Sequence, residues 1–255
     1  MKINEELKNN ILNYIYNLGE ISIAEIFDEI IKNNAIKLDF KEPDPDNMLD
    51  VAEEEKVQTD CILMRNYLMG LNTLSEPEYY KYGFDEYGAK ILYNDIEVKV
   101  GMTSYEAASY EDLESEISVT FFSEIDSLKR FQIRSNDFYN EKYSFEDCFK
   151  NLEEKIDEYD KKYEEEFMPY LSDLLSKMIN KENLNLVKYN LTEEDKSFLR
   201  EIMLTYKVPI NIAFKDGYIF VTCCTKMGTS YEEYVEKMFN IVEASLKIIE
   251  RFINI

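Results

Sequence analysis

Histidine is absent from this 255-residue chain, and that absence excludes more chemistry than any motif adds. Imidazole is the side chain most used for proton transfer near neutral pH and the commonest zinc ligand. Without it, Ser-His-Asp and Cys-His catalysis are ruled out. Any reaction would have to run on carboxylates, Lys, Tyr or Cys. Tryptophan is absent too, and glycine numbers only 7. No G-x-x-x-x-G-K-[ST] or G-x-G-x-x-G occurs, so the glycine-rich cradles for nucleotide phosphates are missing. No EF-hand loop matches either: the acidic run at 42–55 has Pro43 and Pro45 where alternating ligands belong, and no glycine at the bend. No cofactor and no metal is therefore expected.

Positive charge is the next shortage. The 29 Lys and Arg face 52 Asp and Glu, a net charge of −23. Nucleic-acid binding draws most of its affinity from cations that neutralise phosphates, and no run of Lys or Arg offers a local basic patch. Direct binding of DNA, RNA or anionic lipid is thus not expected. Between Lys99 and Lys129 no basic residue occurs, while Glu106, Glu111, Asp112, Glu114, Glu116, Glu124 and Asp126 accumulate. Such a stretch is either a solubilising face or a docking surface for a basic partner.

Cysteines are few and unpatterned. Cys61, Cys148, Cys223 and Cys224 form no C-x-x-C pair, and the adjacent two would make a strained vicinal disulfide. They read as small buried hydrophobes in a reducing compartment. The first residues lack the basic-then-apolar run of a signal peptide, and no apolar run approaches the length of a membrane span. The expected location is cytoplasmic.

The periodicities that are present predict an α+β protein with an N-terminal helical hairpin and β-hairpins packed against long amphipathic helices. Residues 5–17 place Leu7, Ile11, Leu12 and Ile15 at helical spacing, and Gly19 offers a stop. Ser22 with Glu25 then reads as a capping box for a second helix to about Asn33, burying Ile23, Ile26, Phe27, Ile30 and Ile31. The pair has the outline of a helix-turn-helix, yet its second helix carries Glu25, Asp28 and Glu29, the wrong sign for reading DNA. It reads as a plain helical hairpin over 1–40. Residues 41–58, with two prolines and dense acids, read as a linker or loop. The body is expected over 59–255, with a sub-boundary near 140.

Within that body, 59–72 has helical spacing. From Lys90 the period falls to two: Ile91–Tyr93, a turn at Asn94-Asp95, then Ile96–Val100. Ile117–Phe122 is a further strand, and Ile210–Phe214 and Tyr218–Thr222 flank a Lys215-Asp216-Gly217 turn. A helix from Ser144 carries Phe145, Phe149, Leu152, Ile156, Tyr159 and Tyr163, with Pro169 as its break. Shorter and longer helices start at Thr192 and Ser230. The long seams pack on each other or on the sheet; the rival arrangement is a homodimer through them. A four-residue echo, Thr103-Ser104-Tyr105-Glu106 and Thr229-Ser230-Tyr231-Glu232, hints at a duplicated hairpin-then-helix unit.

Two constellations could carry function. Glu97-Val98-Lys99, with Asp85 or Asp95 upstream, has the E-x-K spacing of metal-dependent nucleases, since alternate strand residues share a face. Against it stands the missing cationic track. The 20 tyrosines cluster with acids instead, at Tyr79, Tyr80 and Tyr82 beside Glu76 and Glu78, at Tyr105-Glu106, at Tyr110-Glu111 and over 159–170. Tyrosine offers a large, rigid contact with a polar tip. Carboxylates spaced over such a surface imitate a phosphate backbone and exploit the electrostatic steering of an Arg/Lys channel. The favoured expectation is a non-enzymatic inhibitor or nucleic-acid-mimicking decoy of a basic nucleic-acid-handling protein, of the counter-defence kind that phages and mobile elements encode. A cytosolic adaptor, chaperone or immunity-type protein with an apolar partner surface comes second, and the E-x-K nuclease third.

Overall fold

The structure is a computed structural model that describes residues 5–18, 22–41, 52–58, 60–61, 84–108, 113–125, 129–134, 187–188, 191–208, 210–215, 217–226 and 230–254. The chain is α+β, as its periodicities imply. Helix α1 spans Glu5–Leu18 and α2 spans Ile23–Asn34. At the start of α2 the Ser22 hydroxyl accepts from the Glu25 N–H at 3.2 Å, and the Glu25 carboxylate accepts from the Ser22 N–H at 2.8 Å. Both orphan amide groups are thus satisfied locally.

A short strand β1 (Ile36–Leu38) leads toward the main sheet. Strands β2 (Phe84–Tyr93) and β3 (Ile96–Ala108) meet at Asn94 and Asp95, both at positive φ, as a two-residue hairpin with right-handed strand twist requires. Strand β4 is Leu113–Glu124, β5 Lys129–Arg134 and β6 Val187–Lys188. Helix α3 (Glu193–Tyr206) follows, capped by Thr192 with Asp195. Strands β7 (Asn211–Lys215) and β8 (Tyr218–Lys226) turn at Gly217, whose φ of +87° suits glycine. Helix α4 (Tyr231–Phe252) closes the chain.

The eight strands among the described residues run in the order β1-β2-β3-β4-β8-β7-β5-β6, antiparallel except for the β5–β6 pair. The last hairpin is therefore inserted between β4 and β5. The link after β4 passes the tip of that hairpin, where the Ile125 N–H donates to the Gly217 carbonyl at 2.8 Å.

Alternation assigns the two faces of the sheet. Ala89, Ile91, Val98, Val100, Val119, Phe121, Ile212, Phe214 and Val221 point to one side and are fully buried or nearly so. That side is covered by α4, whose Val235, Met238, Val242, Leu246 and Ile249 are buried, with α1, α2 and α3 packed on it. The apolar seam of α4 is thus spent inside the chain. The 1–40 hairpin shares this core with the later strands, and β1 pairs directly with β2.

Residues 53–58 correct part of the expected 41–58 loop, because they form helix. Ala52–Gln58 is composed largely of good helix formers, and acid density misled the reading. The stretch packs on the other face of the sheet, over a glycine pair: Gly88 and Gly101 are register partners. A Cβ at Gly88 would lie 2.8 Å from Gln58 Cγ, and one at Gly101 would lie 2.5 Å from Cys61 Cβ. Glu53 anchors it, with one carboxylate oxygen 3.0 Å from Lys90 Nζ and the other accepting from the Lys41 N–H at 2.7 Å. Beyond Cys61, the helix expected over 59–72 lies outside the described residues, as does the one expected from Ser144.

The tetrapeptide echo is not a structural repeat. Thr103–Glu106 lies inside β3, whereas Ser230 caps α4 and Tyr231 and Glu232 begin it.

Candidate functional site

The face opposite the main helix layer changes character along its strands. Near the middle it is small and polar: Thr103, Ser118, Thr120 and Thr222 are buried there, with the Thr120 and Thr222 hydroxyls 3.0 Å apart. Toward the start of β3 and the end of β4 it becomes aromatic and charged. At this end of the sheet a cavity of about 350 Å³ opens, lined by Glu97, Lys99, Phe122 and Glu124 from this face and by Ile96, Ser123 and Ile253 from the helix side.

The register explains its lining. Lys99 pairs with Phe122, and Phe122 pairs with Phe220, so these three side chains form one row across β3, β4 and β8. The two phenyl rings stack with centroids 5.6 Å apart, and Lys99 Nζ stands 5.5 Å from the centre of the Phe122 ring. Two residues beyond the last β3–β4 ladder pair, Glu97 and Glu124 both line the cavity, and Glu124 pairs with Tyr218 on β8. The Ser123 hydroxyl fixes this end of the hairpin by donating to the Glu97 carbonyl at 2.7 Å. Asp95 in the β2–β3 turn and Ile253 after α4 complete the rim. Asp95, Glu97 and Glu124 are exposed. Burial pushes the Tyr218 hydroxyl pKa up, and the negative charges of Glu124 and Asp60 push the same way.

Glu97 and Lys99 do share a face and a cavity, as strand alternation requires. Of the two upstream acids, either of which the E-x-K spacing could use, one is remote. Asp85 pairs with Ser104, seven residues along β3 from Glu97, roughly 23 Å at strand rise. Only Asp95 is close. Among the described residues, no three acidic or cysteine side chains come together as a metal site.

The acidic residues picked out by composition fall into separate places. Glu106 stands on β3 opposite Ser115, between Glu114 and Glu116 on β4, so these three backbone positions are neighbours. Glu116 also pairs with Lys226. Glu124 is eight residues further along β4, roughly 26 Å away and in the cavity. Glu111, Asp112, Asp126, Tyr79, Tyr80, Tyr82 and Tyr110 lie outside the described residues.

A tyrosine–carboxylate patch that the sequence reading passed over sits where α1 meets the start of α4. The Tyr16 hydroxyl donates to Glu232 at 2.5 Å, and its ring meets Tyr231 edge-on, centroids 6.2 Å apart. That hydrogen bond holds the Tyr16 pKa above its ordinary value. Tyr14, Tyr16 and Tyr231 are 42%, 57% and 40% exposed. The signal was available: Tyr14 and Tyr16 fall off the apolar face set by Ile11, Leu12 and Ile15.

The comparisons add no relative. No protein-family model, no curated protein and no solved structure matches this chain. No helix among the described residues is long and apolar enough to cross a membrane.

Proposed function

We propose that this is a non-enzymatic cytoplasmic protein that binds a basic partner through its acidic surface, as an inhibitor or nucleic-acid mimic. It would occupy the cationic channel of a nucleic-acid-handling protein, in the manner of phage and mobile-element counter-defence. One observation carries this reading. Among the described residues, seven cations are paired within the chain: Lys8 with Glu236, Lys32 with Asp28 and Glu29, Lys37 with Asp28, Lys90 with Glu53, Lys196 with Glu193, Lys247 with Glu243, and Arg251 with Glu194 and Asp195. Exposed pairs of this kind add little stability, but they neutralise positive charge that would repel a basic partner. Asp95, Glu97, Glu124 and Glu201 remain exposed outside that set. The Tyr14, Tyr16 and Tyr231 rings beside Glu232 supply the residue type enriched at interfaces.

An adaptor would instead call for a contiguous apolar patch. The large exposed aliphatic side chains among the described residues, Ile36 and Leu204, stand on separate elements, β1 and α3. The test is capture of partners from native-host lysate, washed at low and at high salt. The expected partner is a basic nucleic-acid-binding protein released by salt, and lost when Glu111, Asp112, Glu114 and Glu116 are changed to Lys. Capture unaffected by both salt and charge reversal would sink the proposal.

A further inference from the structure

We propose that the cavity at the Glu97–Glu124 end of the sheet receives the guanidinium of an arginine side chain presented by the basic partner, with Lys99 as an internal competitor for that seat. The inference rests on the basic-partner reading and names the point of contact within it. Four observations carry it.

First, there is a recess of about 350 Å³ rather than a flat acidic face. Second, Glu97 and Glu124, each two residues beyond the last β3–β4 ladder pair, Lys99–Phe122, both line that recess. Like charges sharing one recess repel, and an added cation relieves the repulsion. Strands lie about 5 Å apart, a spacing at which one planar fork of N–H donors can engage carboxylates on both. Third, one aromatic ring, Phe122, borders the recess, backed by Phe220 stacked against it. Phe122 is only 1% exposed overall and borders the cavity. Guanidinium, planar and weakly hydrated, suits an aromatic face better than ammonium does.

Fourth, a cation already uses that ring. Lys99 Nζ stands over Phe122 and forms no ion pair with Glu97 or Glu124 among the described residues. Three rim carboxylates, Asp95, Glu97 and Glu124, against one ammonium leave the recess negative, so a cation is favoured over an anion.

The role of Lys99 makes the proposal sharp. In a metal-dependent nuclease Lys99 would be indispensable. In an arginine seat its removal deepens the negative potential and frees the ring, so affinity should rise.

Two probes separate this inference from the broader one: N-acetyl-arginine methylamide, which reads the cavity alone, and a flexible arginine-rich peptide, which reads the whole acidic surface. Binding is followed by backbone amide shifts of the full chain. The arginine derivative should move Ser123, Glu124 and Ile253. In Glu97→Gln/Glu124→Gln the affinity should fall about three- to tenfold, and in Lys99→Met it should rise about two- to threefold, as expected for partly exposed charges. The lysine analogue should bind more weakly than the arginine derivative. Unmoved cavity amides, or an affinity indifferent to both variants, would overturn the arginine seat. Should the peptide still bind in that case, the acidic-surface reading survives alone. Should the derivative seat normally while the peptide gains nothing from the rest of the surface, the cavity stands and the broader reading falls. Conserved amide dispersion in each variant shows that the fold is kept, and the opposite signs expected for the two variants cannot both arise from unfolding.

Discussion

The two faces of the sheet are built from the same strands and do opposite work. On the helix-covered face Ile91, Val98, Val100, Val119, Phe121 and Val221 form an unbroken apolar surface that α4 and its neighbours bury. On the other face the same strands carry Gly88, Gly101, Thr103, Ser118, Thr120 and Thr222, then Lys99, Phe122, Glu97 and Glu124. The first face is uniform because burial by helices rewards only apolar area. The second is graded: glycines admit Glu54, Gln58 and Cys61 closely, hydroxyls pair beneath them, and charge appears where the cavity opens. The apolar core lies on one face and the exposed charge of the sheet on the other.

The largest expected effect tests the dry face. Phe121→Ala should cost about 3–5 kcal/mol, because its ring is fully buried and the hole cannot collapse. Phe122→Ala, one residue on, removes a ring as deeply buried, but the hole opens into the cavity and can fill with water, so the loss should be smaller. Urea denaturation of both variants decides it, and equal losses would erase the contrast between the faces.

Next, Gly101→Ala should cost about 1–3 kcal/mol by overpacking. The new methyl would collide with Cys61, which is buried and whose thiol burial pushes well above its ordinary pKa. Cys61→Gly in the same chain should restore part of the loss, as read by thermal unfolding. No rescue would mean that the close approach of Cys61 to the glycine pair is not what holds Gly101.

The smallest effect concerns a polar anchor at the rim of the helix-covered face. Asp28 accepts from the Tyr87 hydroxyl at 2.7 Å and from Lys37 at 2.6 Å, and pairs with Lys32 at 2.7 Å. Burial pushes its carboxyl pKa up, but the three donors outweigh burial and hold it below its ordinary value. Asp28→Asn should cost about 1–2 kcal/mol near neutral pH. A depressed carboxyl contributes stability above its unfolded pKa of about 4, and that contribution is lost as pH falls through the lower folded value. Denaturation midpoints should therefore converge between the parent and Asp28→Asn in acid. A gap that persists there would show that Asp28 acts through packing instead of charge.

Much of the local structure was legible in sequence, and the candidate site only in part. Strand alternation placed Glu97 and Lys99 on one face, and both line the cavity. Glu124 was read as a member of one acidic surface with Glu114 and Glu116, whereas it stands at the far end of β4, in one cavity with Glu97. Composition counts charges along the chain; register decides which of them meet. The 53–58 helix was missed because its acids resemble a solvated linker until the sheet beneath Val57 and Glu53 is known.

By itself the sequence determined what closes within about four residues: the caps at Ser22, Thr192 and Ser230, the turns at Asn94-Asp95 and Gly217, and the acidic balance. These depend on hydrogen bonds and φ preferences between near neighbours, which the local residues specify alone. Tertiary structure decided the insertion of β7–β8 between β4 and β5, the packing of Glu54, Gln58 and Cys61 on the glycine pair, and the sharing of one cavity by Glu97 and Glu124. It also made Thr103–Glu106 a strand in β3, while Ser230, Tyr231 and Glu232 of the identical tetrapeptide form the cap and first turn of α4. Such choices join residues far apart in the chain, and their energy comes from cross-strand pairing and burial, which short stretches of sequence do not encode.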